Sequence, residues 1–286
     1  MGVSANVNAG SRVAILKSPM EILQAILLGV IEGLTEFLPI SSTGHLIIAE
    51  QYIDFKDTAK IFTVSIQSGA IAAVIWHYRR DLLDKTRGLF GKNKTSVRFF
   101  SNILIASIPA GLLALGLEKS FDKYATPKTV ATALIAGAFI LWWVDTKIAA
   151  KAIGREVTID SIKTKQALIA GLAQCVALIP GTSRSGAAIV GGLLGGLNRA
   201  TATAFSFYMA IPILLAAGGY KLIIGRHDLS SVDGGVTSIV VGTVVSFIVA
   251  LTAISWLLRY ISTHNFKLFV YYRLILGVLV LLLLAW

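Results

Sequence analysis

The sequence predicts an all-α polytopic membrane protein with an inverted-topology repeat, each half a re-entrant helical hairpin plus three transmembrane helices. Three observations carry this. The 286 residues are 55% hydrophobic and 14% charged, whereas soluble domains run near ~25% charged. Helix-length apolar runs recur along the chain, without the alternation over about ten residues that marks a membrane β-barrel. Finally, two short apolar runs stop at a proline and open into a polar turn. One turn is Pro39-Ile40-Ser41-Ser42-Thr43-Gly44-His45, and the other is Pro180-Gly181-Thr182-Ser183-Arg184-Ser185-Gly186.

Residues 1–20 lack the ordered regions and cleavage site of a signal peptide, and are expected to form a flexible or interfacial leader. Gln24 to Leu38 is an apolar helix of 15 residues. It reaches roughly 22 Å, short of a ~30 Å hydrocarbon core. With the run Leu46 to Ile53 it makes two half-helices around a polar break. That pattern reads as a re-entrant hairpin, tolerated at depth only inside protein or against a cavity. Ile61 to Tyr78 crosses, residues 79–98 form a basic loop, and Phe99 to Leu117 crosses back. Lys119 to Lys128 is a short mixed loop. Thr129 to Val144 crosses again, with Trp142 and Trp143 as interface anchors.

The order then starts over. Gln166 to Ile179 repeats the short helix, and Ala187 to Leu197 the second short run. Thr203 to Ile224, Val236 to Leu258 and Phe266 to Trp286 are three further crossings. Gln24-Ala25 aligns with Gln166-Ala167, Gly29 with Gly171, Glu32 with Gln174, and Gly44 with Gly186. The expected units are the leader, a first repeat over 21–150 and a second over 151–286. Three crossings per half is an odd number, so the halves are inverted and their hairpins meet near the midplane.

Charge sets the orientation. Residues 79–98, 147–165 and 259–267 hold 14 Lys and Arg, against 9 on the opposite side. The first side is therefore expected to be cytoplasmic. The net charge of +11 fits basic segments facing anionic lipid rather than nucleic acid, because the cations cluster between apolar runs. A single cysteine, Cys175, excludes an internal disulfide. Gly191, Gly192, Gly195 and Gly196 allow close helix contact, within the chain or between copies of a homodimer.

Ionisable groups at membrane depth mark function by default. Glu32 and Glu36 are four apart and share a helix face. Two such carboxylates need a shared proton, a cation or an arginine, and Mg²⁺ or Ca²⁺ suits their oxygens. Ser41, Ser42 and Thr43 follow the proline. Helix capping explains one hydroxyl, not three beside a histidine. His45 titrates near neutral pH and suits acid–base work. Arg184 stands in a Gly/Ser/Thr turn before a helix, a combination suited to phosphate. Facing tips would thus bracket a metal-bound phosphate or diphosphate. His77 reads as interfacial, and His227 and His264 as loop residues. Arg199 and Arg273 read as snorkelling side chains. Asn198 shows no clear role.

From Glu32 to His45, and again from Pro180 to Gly186, the chain resembles the undecaprenyl-diphosphate phosphatase family, the bacitracin-resistance (BacA) proteins. The resemblance extends from about Glu21 to the end. It implies an inner-membrane enzyme that removes the terminal phosphate of undecaprenyl diphosphate with a divalent cation. The product is the lipid carrier of peptidoglycan synthesis. It also implies Glu32 and Glu36 as the acidic, metal-binding pair and Ser42, His45, Glu36 and Arg184 as catalytic. Ser41, Thr43, Thr182, Ser183 and Ser185 would surround the substrate. The nucleophile is Ser42 or a water. Ala188 departs from the family motif, which commonly has Thr there. A polyprenyl-phosphate transporter is the alternative, since opposed hairpins suit transport too.

Overall fold

A computed structural model describes residues 19–57, 60–122, 124–152, 157–224 and 232–284. The expected leader, apart from Pro19 and Met20, and His227 lie outside these residues. Among the described residues the chain is helical, with one isolated bridge between Asp57 and Val232.

The first hairpin is α1 (Pro19–Thr35) and α2 (Ser42–Ile53). α3 (Ile61–His77) follows, then α4 (Arg79–Phe90), bent by 73° from it. α5 (Lys94–Asp122) and α6 (Pro127–Lys147) complete the first half of the chain. α7 (Thr164–Gln174), a 3-10 turn (Cys175–Leu178) and α8 (Arg184–Leu194) make the second hairpin. α9 (Arg199–Ile224), α10 (Gly235–Thr263) and α11 (Lys267–Leu283) follow.

Among the described residues four helices, α5, α6, α9 and α10, are long and apolar enough to cross a bilayer, making four spans, or five if the bent α3–α4 pair is one span. The protein is a multi-pass membrane protein, and over the described residues the six crossings expected from sequence coincide with α3, α5, α6, α9, α10 and α11. α11 is apolar but has 17 residues, about 25 Å of helix.

Two expected loops are corrected. Residues 79–90 are helical because their charges pair along one face, Lys85 with Asp81 at 3.4 Å and Arg87 with Asp84 at 3.6 Å. The segment expected as a loop from Lys119 begins inside α5, which runs to Asp122. Trp142 and Trp143 are exposed near the end of α6.

The two hairpins are built alike. Gln24 of α1 donates to the Ile53 carbonyl at the far end of α2 (2.7 Å), and Gln166 of α7 donates to the Gly195 carbonyl beyond α8 (3.0 Å). Each amide clamps the two legs of its hairpin. A Cβ on Gly29 would stand 2.6 Å from the Gly242 carbonyl of α10, and one on Gly171 2.2 Å from the Ala106 carbonyl of α5. Small residues let these helices close on each other. Gly191 and Gly192 likewise face Ala170 and Ala202, so these glycines serve contacts within the chain.

Neither Arg199 nor Arg273 snorkels. Arg199 Nε donates to Asp145 at 2.5 Å, and the other Asp145 oxygen accepts the Phe266 amide at 3.0 Å. This joins α6, α9 and the start of α11. Arg273 is 1% exposed. A local acceptor held each guanidinium where the sequence shows only a cation in oil. Asn198 has a role after all: it caps α9 through the Thr201 amide (2.8 Å) and donates to the Val157 carbonyl (3.1 Å).

Candidate active site

Each hairpin tip turns on a serine in the left-handed region, Ser41 at φ 72° and Ser183 at φ 76°. That backbone is uncommon outside glycine and costs about 1–3 kcal/mol. Both serines offset part of the cost as caps, accepting the amides of Gly44 (3.4 Å) and Gly186 (3.1 Å). The next residue in each tip is the first of its helix: Ser42 in α2 and Arg184 in α8.

Both residues point at one carboxylate. Glu36 lies just past α1, but its amide still bonds to the Glu32 carbonyl at 2.9 Å, so it continues that helical face. Arg184 Nη2 donates to Glu36 Oε1 at 3.0 Å. The Ser42 hydroxyl donates to Glu36 Oε2. Arg184 Nη1 donates to the Ser206 carbonyl of α9 at 3.0 Å, while its buried Nε has no partner among the described residues.

The tips also touch through Ser185, whose hydroxyl donates to the Leu38 carbonyl at 2.8 Å. Gly181 sits against the backbone of Val130 in α6. Phe37, beside Glu36, is fully buried and meets the Phe207 ring edge-on at 5.2 Å. The site therefore rests on packed apolar residues.

A cavity of about 720 Å³ opens above Glu36. Ser41, Ser42, Thr43, Ser183 and Arg184 line it together with Glu36. Leu46, Ile47, Val64, Ile213 and Leu214 line its apolar walls. Glu50, Lys60, Thr63 and Lys221 add polar lining, and Lys60 pairs with Glu50 at 3.1 Å. A separate polar network lines no part of the cavity. There Tyr208 donates to Asp81 at 2.5 Å and Lys85 pairs with Asp160 at 2.5 Å.

Not every expected site residue reaches the cavity. Thr182 and Ser185 lie behind its lining. Thr182 presents its carbonyl to Arg273, and Ser185 is wholly buried as a cross-link between tips. His45 is also outside the lining. Its Nδ1 is 2.7 Å from the Ser41 carbonyl, so it carries the proton, and Nε2 accepts from Tyr272 Oη at 2.7 Å. The Ser42 hydroxyl is thus bonded to Glu36 and the histidine ring to α11. Tyr272→Phe removes a single half-exposed hydrogen bond, worth about 1 kcal/mol. Stability in detergent unfolding is expected to fall by no more than about 1 kcal/mol.

Glu32 lies one turn earlier on α1, 0% exposed and outside the cavity lining, and among the described residues neither carboxylate oxygen has a hydrogen-bond partner. The amide of its counterpart Gln174 is likewise buried and unpaired. Among the described residues no three His, Cys, Asp or Glu converge to hold a metal by themselves. An unsatisfied carboxylate one turn from Glu36 is chemically suited to a hard divalent cation. Sequence reasoning missed Tyr272 and Arg273. The signal for Arg273 was present, a full charge in mid-helix at membrane depth.

A carboxylate, a hydroxyl and an arginine lining a mostly apolar cavity, inside a bundle of spanning helices, define a membrane protein built around an anionic headgroup. Residues 25–279 match the family model of the bacitracin resistance protein BacA, and the chain belongs to that family. It is 48% identical over 263 residues to a Nitrosomonas europaea protein named undecaprenyl-diphosphatase, covering 91% of this chain and 94% of that one. A Dechloromonas aromatica protein of the same name is 45% identical over 265 residues, covering 92% and 94%. A Rhodospirillum rubrum protein, undecaprenyl-diphosphatase 2, is 48% identical over 267 residues, covering 91% and 94%.

Proposed function

We propose that the protein is an integral membrane phosphatase that hydrolyses undecaprenyl diphosphate to undecaprenyl phosphate and inorganic phosphate. This would recycle the lipid carrier of peptidoglycan synthesis and confer bacitracin resistance. One observation carries the reading: Glu36 receives Ser42 from one tip and Arg184 from the other, and all three line a cavity with apolar walls. The name shared by the relatives supports the substrate.

The diphosphate would enter headgroup first, with its prenyl chain against Leu46, Ile47, Ile213 and Leu214. Arg184 would hold the terminal phosphate, using the Nε–H that lacks a partner and the charge now opposed to Glu36. Ser41, Thr43 and Ser183 line the same cavity and would hydrogen-bond phosphate oxygens. Ser42 Oγ then attacks the terminal phosphorus. The bond from that phosphorus to the bridging oxygen breaks, undecaprenyl phosphate leaves, and the serine proton passes to Glu36. Water cleaves the phosphoserine, Glu36 returns the proton to Ser42, and inorganic phosphate departs. Such transfers depend mainly on positioning and charge stabilisation. Mg²⁺ or Ca²⁺ would be held by Glu36 and Glu32 with phosphate oxygens, and would supply positive charge to the transferring phosphoryl group. In this reading His45 fixes the start of α2 through the Ser41 carbonyl.

The matched hairpins support two inverted halves, 21–150 and 151–286. The charge distribution supports a bacterial inner-membrane location with the cavity opening to the outer face.

The test is phosphate release from undecaprenyl diphosphate by purified protein in detergent, where no two sides exist to transport between. Release that needs a divalent cation, stops with EDTA and falls about 100- to 1000-fold in Arg184→Ala is expected. Folded wild type that releases nothing with metal present would overturn the phosphatase and leave lipid-phosphate transport.

A further inference from the structure

Arg273 is a complete charge inside an apolar helix, α11, and the mechanism above does not use it. Its side chain is 1% exposed and lines no part of the cavity. Among the described residues no carboxylate pairs with it. Its donors go instead to four backbone carbonyls. Nε donates to Leu134 (3.1 Å) and Nη2 to Ala133 (3.1 Å), both in α6. Nη1 donates to Pro39 (3.1 Å) in the first tip, and Nη2 also to Thr182 (3.0 Å) in the second.

These last two carbonyls are the informative ones. Each belongs to irregular backbone just ahead of a strained serine, Ser41 or Ser183. Irregular backbone at membrane depth has no water to bond, so its carbonyls need a donor from the protein. One planar guanidinium serves a carbonyl in each tip and anchors both to α6. A lysine ammonium is a single point and cannot span that set. The surroundings are shaped for the fork as well. A Cβ on Gly137 of α6 would lie 2.0 Å from Nη2, so only glycine leaves room for the guanidinium.

We infer that Arg273, seated against Gly137, is a positioning residue that locks the two hairpin tips in register so that Ser42 and Arg184 meet at Glu36. It touches neither the cavity nor the reacting atoms. It acts through the backbone on which the reacting side chains are mounted. Its relevance to turnover rests on the phosphatase reading; its hold on the tips does not.

The experiment compares wild type, Arg273→Lys and Gly137→Ala in lipid nanodiscs. Hydrogen–deuterium exchange is followed at residues 39–45 and 180–187, and kcat and KM for undecaprenyl diphosphate are measured on the same samples. Arg273→Lys keeps the charge and loses the fork, while Gly137→Ala keeps the arginine and displaces it. Tip exchange at least tenfold faster in both variants is expected, with α3 and α10 unchanged. kcat should fall at least tenfold while KM moves by less than about threefold, because Arg273 lies outside the cavity that binds the lipid. Unchanged exchange at both tips overturns the inference whatever the activity. Loosened tips with wild-type kcat overturn it too, as does a raised KM at constant kcat, which would make Arg273 a binding residue. If Arg273→Lys does not accumulate as folded protein, Gly137→Ala decides by the same criteria. A wild type that releases no phosphate sinks the phosphatase reading alone, and the exchange comparison still judges the lock.

Discussion

Glu36→Gln is expected to lower kcat/KM for phosphate release by about a thousandfold, the combined effect of losing a proton acceptor and one charged contact. The amide matches the carboxylate in size, so packing against Phe37 survives. Three functions are lost together. Ser42 loses the acceptor for its proton, Arg184 loses its counter-charge, and a cation loses a ligand. Stability falls as well, because Arg184 is left largely buried without its partner. Breaking such a pair costs about 3–5 kcal/mol when fully buried, and less here because Arg184 reaches the cavity. The double variant Glu36→Gln/Arg184→Met separates the effects. Its melting temperature in detergent should recover much of the loss, and its activity should not recover. A single variant that keeps more than a tenth of wild-type turnover would remove Glu36 from the chemistry.

Gly181→Ala is the second large effect. Gly181 has φ +92°, a conformation that L side chains rarely adopt, and an added Cβ would stand 2.6 Å from Val130 Cα and 2.7 Å from its carbonyl oxygen. Left-handed backbone costs about 1–2 kcal/mol for a residue with a Cβ, and overpacking typically adds 1–3 kcal/mol. A loss of about 2–5 kcal/mol is expected in detergent unfolding. Backbone, not a flexible side chain, stands in the way, so the second tip must shift. Arg184 is three residues on, and turnover should fall by about a hundredfold. Equal melting and equal turnover would mean that the tip has more freedom than the geometry allows.

The parts of the site legible in sequence were polar residues standing where oil was expected. Glu36, Ser42 and Arg184 were found that way, and the structure brings all three together. The two hairpins were legible because proline and serine interrupt runs too short to cross. His45 was placed beside Ser42 by sequence proximity. Its actual neighbour, Tyr272, is 227 residues away, a contact no local pattern carries. Arg273 was visible as a mid-helix charge, but its four acceptors are backbone atoms, and carbonyls look the same in every sequence. α4 was mistaken for a loop because charge density was weighed and the spacing of its charge pairs was not.

The arginine fork also bears on biosynthesis. Chains emerge from the ribosome N-terminus first, and Pro39 precedes its donor Arg273 by 234 residues. The first tip therefore enters the membrane long before the side chain that satisfies its carbonyl has been translated. A nascent chain carries its serine and carboxylate without a finished reaction centre until α11 arrives. Catalytic competence would then be a late event of membrane insertion. Ribosome stalling between Leu258 and Arg273 should yield an inserted but inert intermediate.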